Sequence, residues 1–202
     1  SGSGEPTMTS FATGYRYAEM GYTAAFEPAM VPVNARQAHL EMADVPIIDK
    51  GAYVMLGNDD FFLRMLAGKA DHKAITDYVA WTMGATQALG VKVVNPGGIS
   101  AFKFNHRMLD LDQADSHYGL TPRGILHSLT RALTDLGVPH PLHVHGCNLG
   151  VPGNVKTTLK TMAGSGGRPL HLTHIQFHAY GAEGDRRFAS GAARIAEAIN
   201  TQ

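Results

Sequence analysis

Two short apolar stretches, "HVHGCNLG" and "HLTHIQFH", contain five of the 11 histidines in the sequence. His143 and His145 are two residues apart, so on a strand both would point to the same face. In an extended conformation His174, Gln176 and His178 would also share a face. A single histidine in such a stretch is equally consistent with a structural role. Together the two stretches favour a metal site or an acid–base site where neighbouring strands end.

Lys92 lies in "VKVVNPGG", a β-branched stretch that ends in a Pro-Gly-Gly breaker and is typical of a buried strand followed by a loop. An unpaired ammonium group is expensive to bury there. Lys92 could point outward between covering helices. Alternatively, burial could lower its pKa and leave a neutral amine. Such an amine can form a Schiff base, or take up carbon dioxide as a carbamate that bridges two metal ions. The nearby histidines favour the carbamate.

Composition excludes several classes of function. The 17 basic and 17 acidic residues leave no net field to attract nucleic acid or an anionic membrane. No apolar stretch approaches the roughly 18 residues that span a bilayer. Cys147 is the single cysteine, which rules out an internal disulfide and a thiolate metal cage. The first residues, "SGSGEPTM", lack the features of a secretion signal. We therefore expect one cytoplasmic domain over residues 1–202.

Strand-like and helix-like segments alternate about five times along the chain. Strands are predicted in "YTAAFEPAM", "PIIDKGAYVML", "VKVVNPGG", "PLHVHGCN" and "PLHLTHIQF", with helices between them and at both ends. This alternation predicts parallel βαβ units, in either a doubly wound sheet or a (β/α)8 barrel. No glycine-rich phosphate motif follows the first strand, which weakens the doubly wound alternative. Polar residues follow three strands, where a barrel has its active site. The sequence therefore favours a barrel, with about five of its eight units present.

Several long motifs together resemble one family. "GVKVVNPGG", "LHVHGCNLGVPGN" and "HLTHIQFHAYG", in this order and spacing, are similar to the amidohydrolase-type alpha subunits of formylmethanofuran dehydrogenases and bacterial formyltransferase/hydrolase complexes. "FATGYRYAEMGYTAAFEPAM" and "IIDKGAYVMLGN" extend the likeness over nearly the whole chain. The resemblance implies a (β/α)8 barrel with two zinc ions. It also implies a His-x-His pair on the first strand, a carboxylated lysine on the fourth, single histidines on the fifth and sixth, and an aspartate on the eighth.

Carried onto this sequence, the resemblance assigns the carboxylated lysine to Lys92, with Lys103 in the following loop as the second choice. Neither the first-strand pair nor the eighth-strand aspartate can be placed. The "HVH" motif is not that pair, because it follows the lysine strand instead of preceding it. We therefore expect the chain to correspond to strands two to six, and not to hold a complete dinuclear centre by itself.

The same resemblance assigns the two single histidines. The fifth-strand ligand is His145, nearer the carboxyl end of its strand, with His143 as the alternative. The sixth-strand ligand is His174, with His178 as the alternative. Lys92, His145 and His174 are thus the expected metal-binding and catalytic residues.

By the same resemblance, the expected reaction is zinc-dependent hydrolysis of formylmethanofuran to formate and methanofuran, or the reverse formylation. The partners would be the other subunits of a formyltransferase/hydrolase complex in one-carbon metabolism. Asn95 and Asn148 follow predicted strands and are either substrate-binding residues or ordinary turn residues. Two other functions stay open: a hydrolase of cyclic amides on the same barrel, and a scaffold subunit with an incomplete metal site.

Overall fold

A computed structural model describes residues 9–96 and 110–201, which form a five-stranded parallel sheet with helices between its strands. The strands are β1 (Ala24–Met30), β2 (Asp49–Met55), β3 (Gly90–Val94), β4 (Leu142–His145) and β5 (Leu170–Leu172). The helices are α1 (Ser10–Glu19), α2 (Ala35–Ala43), α3 (Asp60–Ala67), α4 (His72–Thr86), α5 (Pro122–Asp135), α6 (Val155–Gly164) and α7 (Ala192–Asn200). Short 3-10 turns cover Pro32–Asn34 and Ile175–His178.

The strand order identifies the architecture. The five strands pair in sequence order, β1-β2-β3-β4-β5, and each neighbouring pair is parallel. A doubly wound sheet would reverse its order at a switch point, whereas a (β/α)8 barrel adds each new strand on the same side. The predicted partial barrel is therefore confirmed.

Side-chain caps begin three of the helices. The carboxylate of Asp59 accepts a hydrogen bond from the third residue of α3, and Asp71 does the same for α4. Thr121 caps α5 by accepting from the Gly124 N–H at 3.1 Å, with Pro122 in the first turn. Each cap pairs one of the backbone donors that a helix leaves free at its start. The sequence predicts capped starts for α3 and α5, because "NDDFF" and "TPRG" place a capping residue just before each helix, and the structure confirms both.

Two breakers in the sequence predict element ends that the structure contradicts, namely Pro28 for the first strand and Gly90 for the helix before β3. β1 continues through Pro28, which the sequence suggested as its end. Proline is tolerated because β1 lies at the edge of the described sheet, and its pairing with β2 shifts register at this point. Helix α4 ends at Thr86, not at Gly90, because Gln87 takes a left-handed conformation with φ 51°. Gly90 instead begins β3, where a Cβ would meet the Tyr53 ring at 2.8 Å.

The two faces of the sheet differ in chemistry. Toward the helices the strands bury aliphatic side chains with at most 1% exposure, namely Ala52, Val54, Val91, Val93, Leu142 and Val144. Toward the barrel interior the same strands carry Tyr53, Lys92, His143 and His145, as strand alternation requires. In the described ranges, no helix has the length and apolar character needed to cross a membrane.

Gly57 should be sensitive to any added side chain. A Cβ at this position would lie 1.9 Å from Cγ2 of the buried Val93. We expect Gly57→Ala to lower the free energy of unfolding of the intact protein by about 1–3 kcal/mol, the usual effect of overpacking. Urea unfolding would measure it.

Gly84 provides the matched control, because a Cβ there meets nothing within 4 Å and the residue lies inside α4. Gly84→Ala should raise the free energy of unfolding by about 0.5–1 kcal/mol through helix propensity. Equal effects of the two substitutions would contradict the packing described for β2 and β3.

Candidate metal centre

Strand register arranges the polar residues in layers. Lys92 on β3 pairs with His143 on β4, which pairs in turn with His171 on β5. Val94 pairs with His145, two residues nearer the carboxyl ends of the strands. Since paired residues of parallel strands point to the same face, Lys92, His143 and His171 form one layer of the barrel interior. His145 belongs to the next layer, at the end where barrels have their active sites.

The stretch after β5 differs from the prediction. The strand ends at Leu172, so the expected strand face shared by His174, Gln176 and His178 does not exist. His174 is left-handed, with φ 35° and ψ 48°, and the chain then makes the 3-10 turn Ile175–His178. Gln176 is exposed, whereas the rings of His174 and His178 stack with centroids 5.3 Å apart. A turn, not a strand, therefore brings these two histidines together.

His145, His174 and His178 form a cluster with the geometry of a metal-binding site. One nitrogen from each ring lies within 4.8 Å of the other two. The ring of His145 is 4.5 Å from that of His174 and 5.4 Å from that of His178, centroid to centroid. Nitrogens on one tetrahedral zinc ion are roughly 3.3 Å apart. Small side-chain rotations would close the difference.

Burial keeps the imidazoles of His145 and His178 neutral, and the neutral ring is the form that binds metals. Burial, helped by the neighbouring histidines, lowers the pKa of His145 to about 4. Burial likewise lowers the pKa of His178 to about 4, although the backbone of Cys147 opposes the shift. Neither ring nitrogen of His178, nor Nδ1 of His174, has a hydrogen-bond partner of normal geometry in the described structure. Unpaired buried nitrogens are unfavourable unless something binds them, and a metal ion would.

Lys92 points into the barrel, so the alternative that it extends outward between helices is wrong. Its side chain is buried, and Nζ donates to Thr173 Oγ1 at 3.2 Å and to His143 Nδ1 at 3.4 Å. Burial lowers its pKa to about 8. Lys92 lies one layer nearer the amino ends of the strands than His145, and, besides burial, its charge contributes to the lowered pKa of both His145 and His178. Lys103, the second choice for the carboxylated lysine, lies outside the described residues.

His143 has a different environment from His145. Its ring lies 4.3 Å from that of His171 and 5.0 Å from that of Tyr53, and its Nδ1 accepts from Lys92. Burial and then the Lys92 charge lower the pKa of His143 to about 4. The geometry thus favours His145 over His143 as the ligand from β4. In the segment after β5, the structure places both His174 and its alternative, His178, in the cluster.

The two predicted substrate-binding asparagines both occupy left-handed turns. Asn95 has φ 41°, its N–H donates to the His145 carbonyl at 2.9 Å, and its buried Oδ1 has no partner in the described structure. Asn148 has φ 63°, and its Nδ2 donates to Thr157 Oγ1 at 3.1 Å. Asn95 therefore keeps an acceptor for a ligand, whereas Asn148 contributes to loop structure. Their role in substrate binding stays a prediction.

Sequence reasoning missed two polar residues beside the centre. Thr173 accepts a hydrogen bond from Lys92 and donates one to the Val144 carbonyl at 3.1 Å. Its position next to His174 is the sequence feature that could have identified it. Asn58 donates through Nδ2 to the Val94 carbonyl, while its buried Oδ1 has no partner in the described ranges. Asn58 lies in "GNDDFF", which is typical of a capped helix start, so the pattern offers no reason to assign it a second role.

Comparisons with known proteins agree with this architecture. The model of the amidohydrolase family matches residues 1–201. The chain is 44% identical over 188 residues to the A-subunit of the formyltransferase/hydrolase complex Fhc of Methylorubrum extorquens, covering 93% of this chain and 34% of the relative. It is 39% identical over 210 residues to Protein FwdA of Methanocaldococcus jannaschii, covering 98% of this chain and 37% of the relative.

A solved structure is similar over the whole chain. The formyltransferase/hydrolase complex FhcABCD from Methylorubrum extorquens, in complex with methylofuran, matches with a TM-score of 0.92 and 42% identity. The match covers 100% of this chain and 38% of the matched chain. The chain thus spans between a third and two fifths of the length of these relatives.

The buried Lys92 amine predicts a specific pH dependence of stability. Its folded-state pKa of about 8 lies below the ordinary lysine value of 10.5. Between these pH values the unfolded chain binds more protons, so the free energy of unfolding rises with pH. Relative to Lys92→Met, metal-free wild type in bicarbonate-free buffer should gain about 2–3 kcal/mol from pH 7.5 to pH 10.5. Urea unfolding across this range measures the difference, and parallel pH profiles for the two proteins would contradict a free, buried amine.

Proposed function

Because the chain belongs to the amidohydrolase family, we propose that it contributes to a zinc-dependent hydrolase that cleaves the formamide of formylmethanofuran to formate and methanofuran, or catalyses the reverse formylation. The observation that carries the proposal is the cluster of His145, His174 and His178, whose ligand atoms lie within 4.8 Å of one another. The cluster lies where β4 and β5 end, the position of active sites in parallel barrels.

The relatives support the choice of substrate. One is named as part of a formyltransferase/hydrolase complex, and the similar crystal structure is of such a complex with methylofuran. We therefore propose that the substrate of this chain is also a formylated carrier of that chemical class. By the same reasoning, the proposed partners are the other subunits of such a complex.

The proposed metal is zinc, with two ions in the complete site. His145, His174 and His178 would hold it, because one nitrogen from each ring lies within 4.8 Å of the other two, burial keeps His145 and His178 neutral, and three ring nitrogens lack partners in the described structure. Zinc in such a site supplies an activated water at neutral pH and polarises the carbonyl oxygen of an amide. The protein's own contribution would be to keep His145 and His178 neutral by burial and to bring the three rings together where two strands end.

Lys92 is the proposed anionic ligand. With a pKa of about 8, roughly one tenth of the amine is neutral at pH 7. The neutral amine would add to carbon dioxide and release one proton, giving a carbamate. The Thr173 hydroxyl and His143 Nδ1 hold the amine in place before this reaction. Lys103 is the alternative should Lys92 prove unmodified.

Asn95 is the proposed contact for the amide part of the substrate. Its turn is fixed by the hydrogen bond from its N–H to the His145 carbonyl, so its side chain starts beside the cluster. The unpartnered Oδ1 can accept a hydrogen bond from the N–H of a formamide. Asn148 is the weaker candidate, because its amide nitrogen already donates to Thr157.

Substituting each of the two β4 histidines in turn should show which one binds the metal ion and which one only lies near the cluster. We expect His145→Ala in the intact protein to reduce zinc affinity and hydrolysis of an N-formyl amine by more than the 10–100-fold typical of outer-shell changes. His143→Ala should reduce activity less, since His143 contacts Lys92 and Tyr53 instead of the cluster. Zinc titration and initial rates measure both. The reverse ranking would exchange the two roles.

Removing the Lys92 amine should prevent metal loading. We expect Lys92→Ala in the intact protein to abolish zinc binding and hydrolysis while the protein stays soluble, because an anionic ligand is lost. Zinc content, circular dichroism and activity on N-formyl amines and hydantoins would be measured together. Full activity would remove Lys92 from the site. Faster turnover of hydantoins by wild type would favour a cyclic-amide hydrolase, and fewer than one zinc ion per wild-type subunit would favour a scaffold.

A further inference from the structure

Helix α6 makes a dense set of side-chain contacts with the segment that carries His178. Thr158 Oγ1 donates to the His178 carbonyl at 2.7 Å. Asn154 Nδ2 donates to the Phe177 carbonyl at 2.8 Å, and Asn154 Oδ1 accepts from the Tyr180 N–H at 2.9 Å. Both side chains are buried, with 2% and 6% exposure for Asn154 and Thr158. Thr158 of α6 and Asn154, the residue before α6, therefore hold the backbone at Phe177, His178 and Tyr180, on both sides of His178.

The His178 segment needs outside support. Beyond Leu172 it has left the sheet, and a 3-10 turn of four residues has little stability of its own. The same end of α6 adds backbone contacts, since the Val155 N–H donates to the Tyr180 carbonyl at 3.1 Å. Asn154 also donates to the Asn148 carbonyl at 2.9 Å, which ties the loop after β4 to the same point. One buried asparagine thus joins the segments that follow two neighbouring strands.

We infer that Asn154 and Thr158 are positioning residues for the histidine cluster, which fix the backbone of His178 so that its ring faces His145 and His174. This inference rests on the proposed function, in which the three rings bind zinc together. Groups that orient metal ligands from outside typically change metal affinity 10–100-fold when removed. Neither residue touches the rings through a hydrogen bond, so the effect acts through the backbone.

Three threonine variants of α6 test the inference in the intact, metal-free protein. Thr158→Val removes the hydroxyl at nearly constant volume, and Thr158→Ser retains it. Thr161→Val is the matched control, because Thr161 is also buried and, among the residues that the structure describes, its hydroxyl donates to the Thr157 carbonyl within α6 and not to the His178 segment. Asn154→Asp removes the two donated hydrogen bonds. If that variant does not fold, the threonine series decides alone.

The first measurement is affinity for Zn²⁺ alone, by competition with a chromophoric chelator. Thr158→Val should bind at least tenfold more weakly than wild type, while Thr158→Ser and Thr161→Val should stay within about twofold. Equal affinities of Thr158→Val and Thr161→Val would overturn the inference.

The second measurement needs no metal and separates the inference from the proposed function. Amide hydrogen exchange over residues 175–181 should be about fivefold faster in Thr158→Val than in Thr161→Val, as expected for one lost hydrogen bond. If wild type binds no zinc, the proposed function fails and this exchange difference decides whether α6 holds the His178 backbone. Equal exchange in the two variants would overturn the inference.

Discussion

The in-register parallel pairing of β3, β4 and β5 decides where the polar groups of the candidate centre lie. The pairing of Lys92 with His143 and of Val94 with His145 separates the lysine layer from the histidine layer by one step along the strands. A shift of one residue would turn His143 and His145 toward the helices, where Leu142 and Val144 now fill the core. Aliphatic packing on one face therefore fixes the chemistry on the other.

Much of this arrangement could be predicted from the sequence, because the strands alternate regularly and end in clear breakers. The parallel strand order and the capped start at Thr121 follow from local patterns, whereas the same patterns left the direction of Lys92 open between inward and outward. The end of β5 does not follow from a local pattern. "HLTHIQFH" contains no glycine or proline and keeps an apolar character, so it resembles a continuing strand. The 3-10 turn that follows His174 accepts hydrogen bonds from Asn154 and Thr158 at the Phe177 and His178 carbonyls, and contacts with such distant residues cannot be read from a local pattern.

Charge explains why a modified lysine suits this centre. No acidic side chain contributes to the pKa shifts of His145 or His178, whose causes are burial, neighbouring histidines, Lys92 and the Cys147 backbone. In the described part of the chain the cluster therefore combines two rings that burial keeps neutral, those of His145 and His178, with a nearby amine and no carboxylate ligand. Two zinc ions would bring four positive charges. Conversion of the Lys92 amine to the proposed carbamate would replace a cation by an anion at the place where compensation is needed.

The contact between Lys92 and His143 also selects a tautomer. As long as Lys92 is an unmodified ammonium group it can only donate, so His143 Nδ1 acts as the acceptor in this pair. With the pKa of His143 lowered to about 4, the ring carries a single proton near neutral pH, and that proton must reside on Nε2. One nitrogen then has its electron pair engaged and the other is protonated. In this state His143 has no electron pair left to bind a cation. His145, only two residues away, does have one.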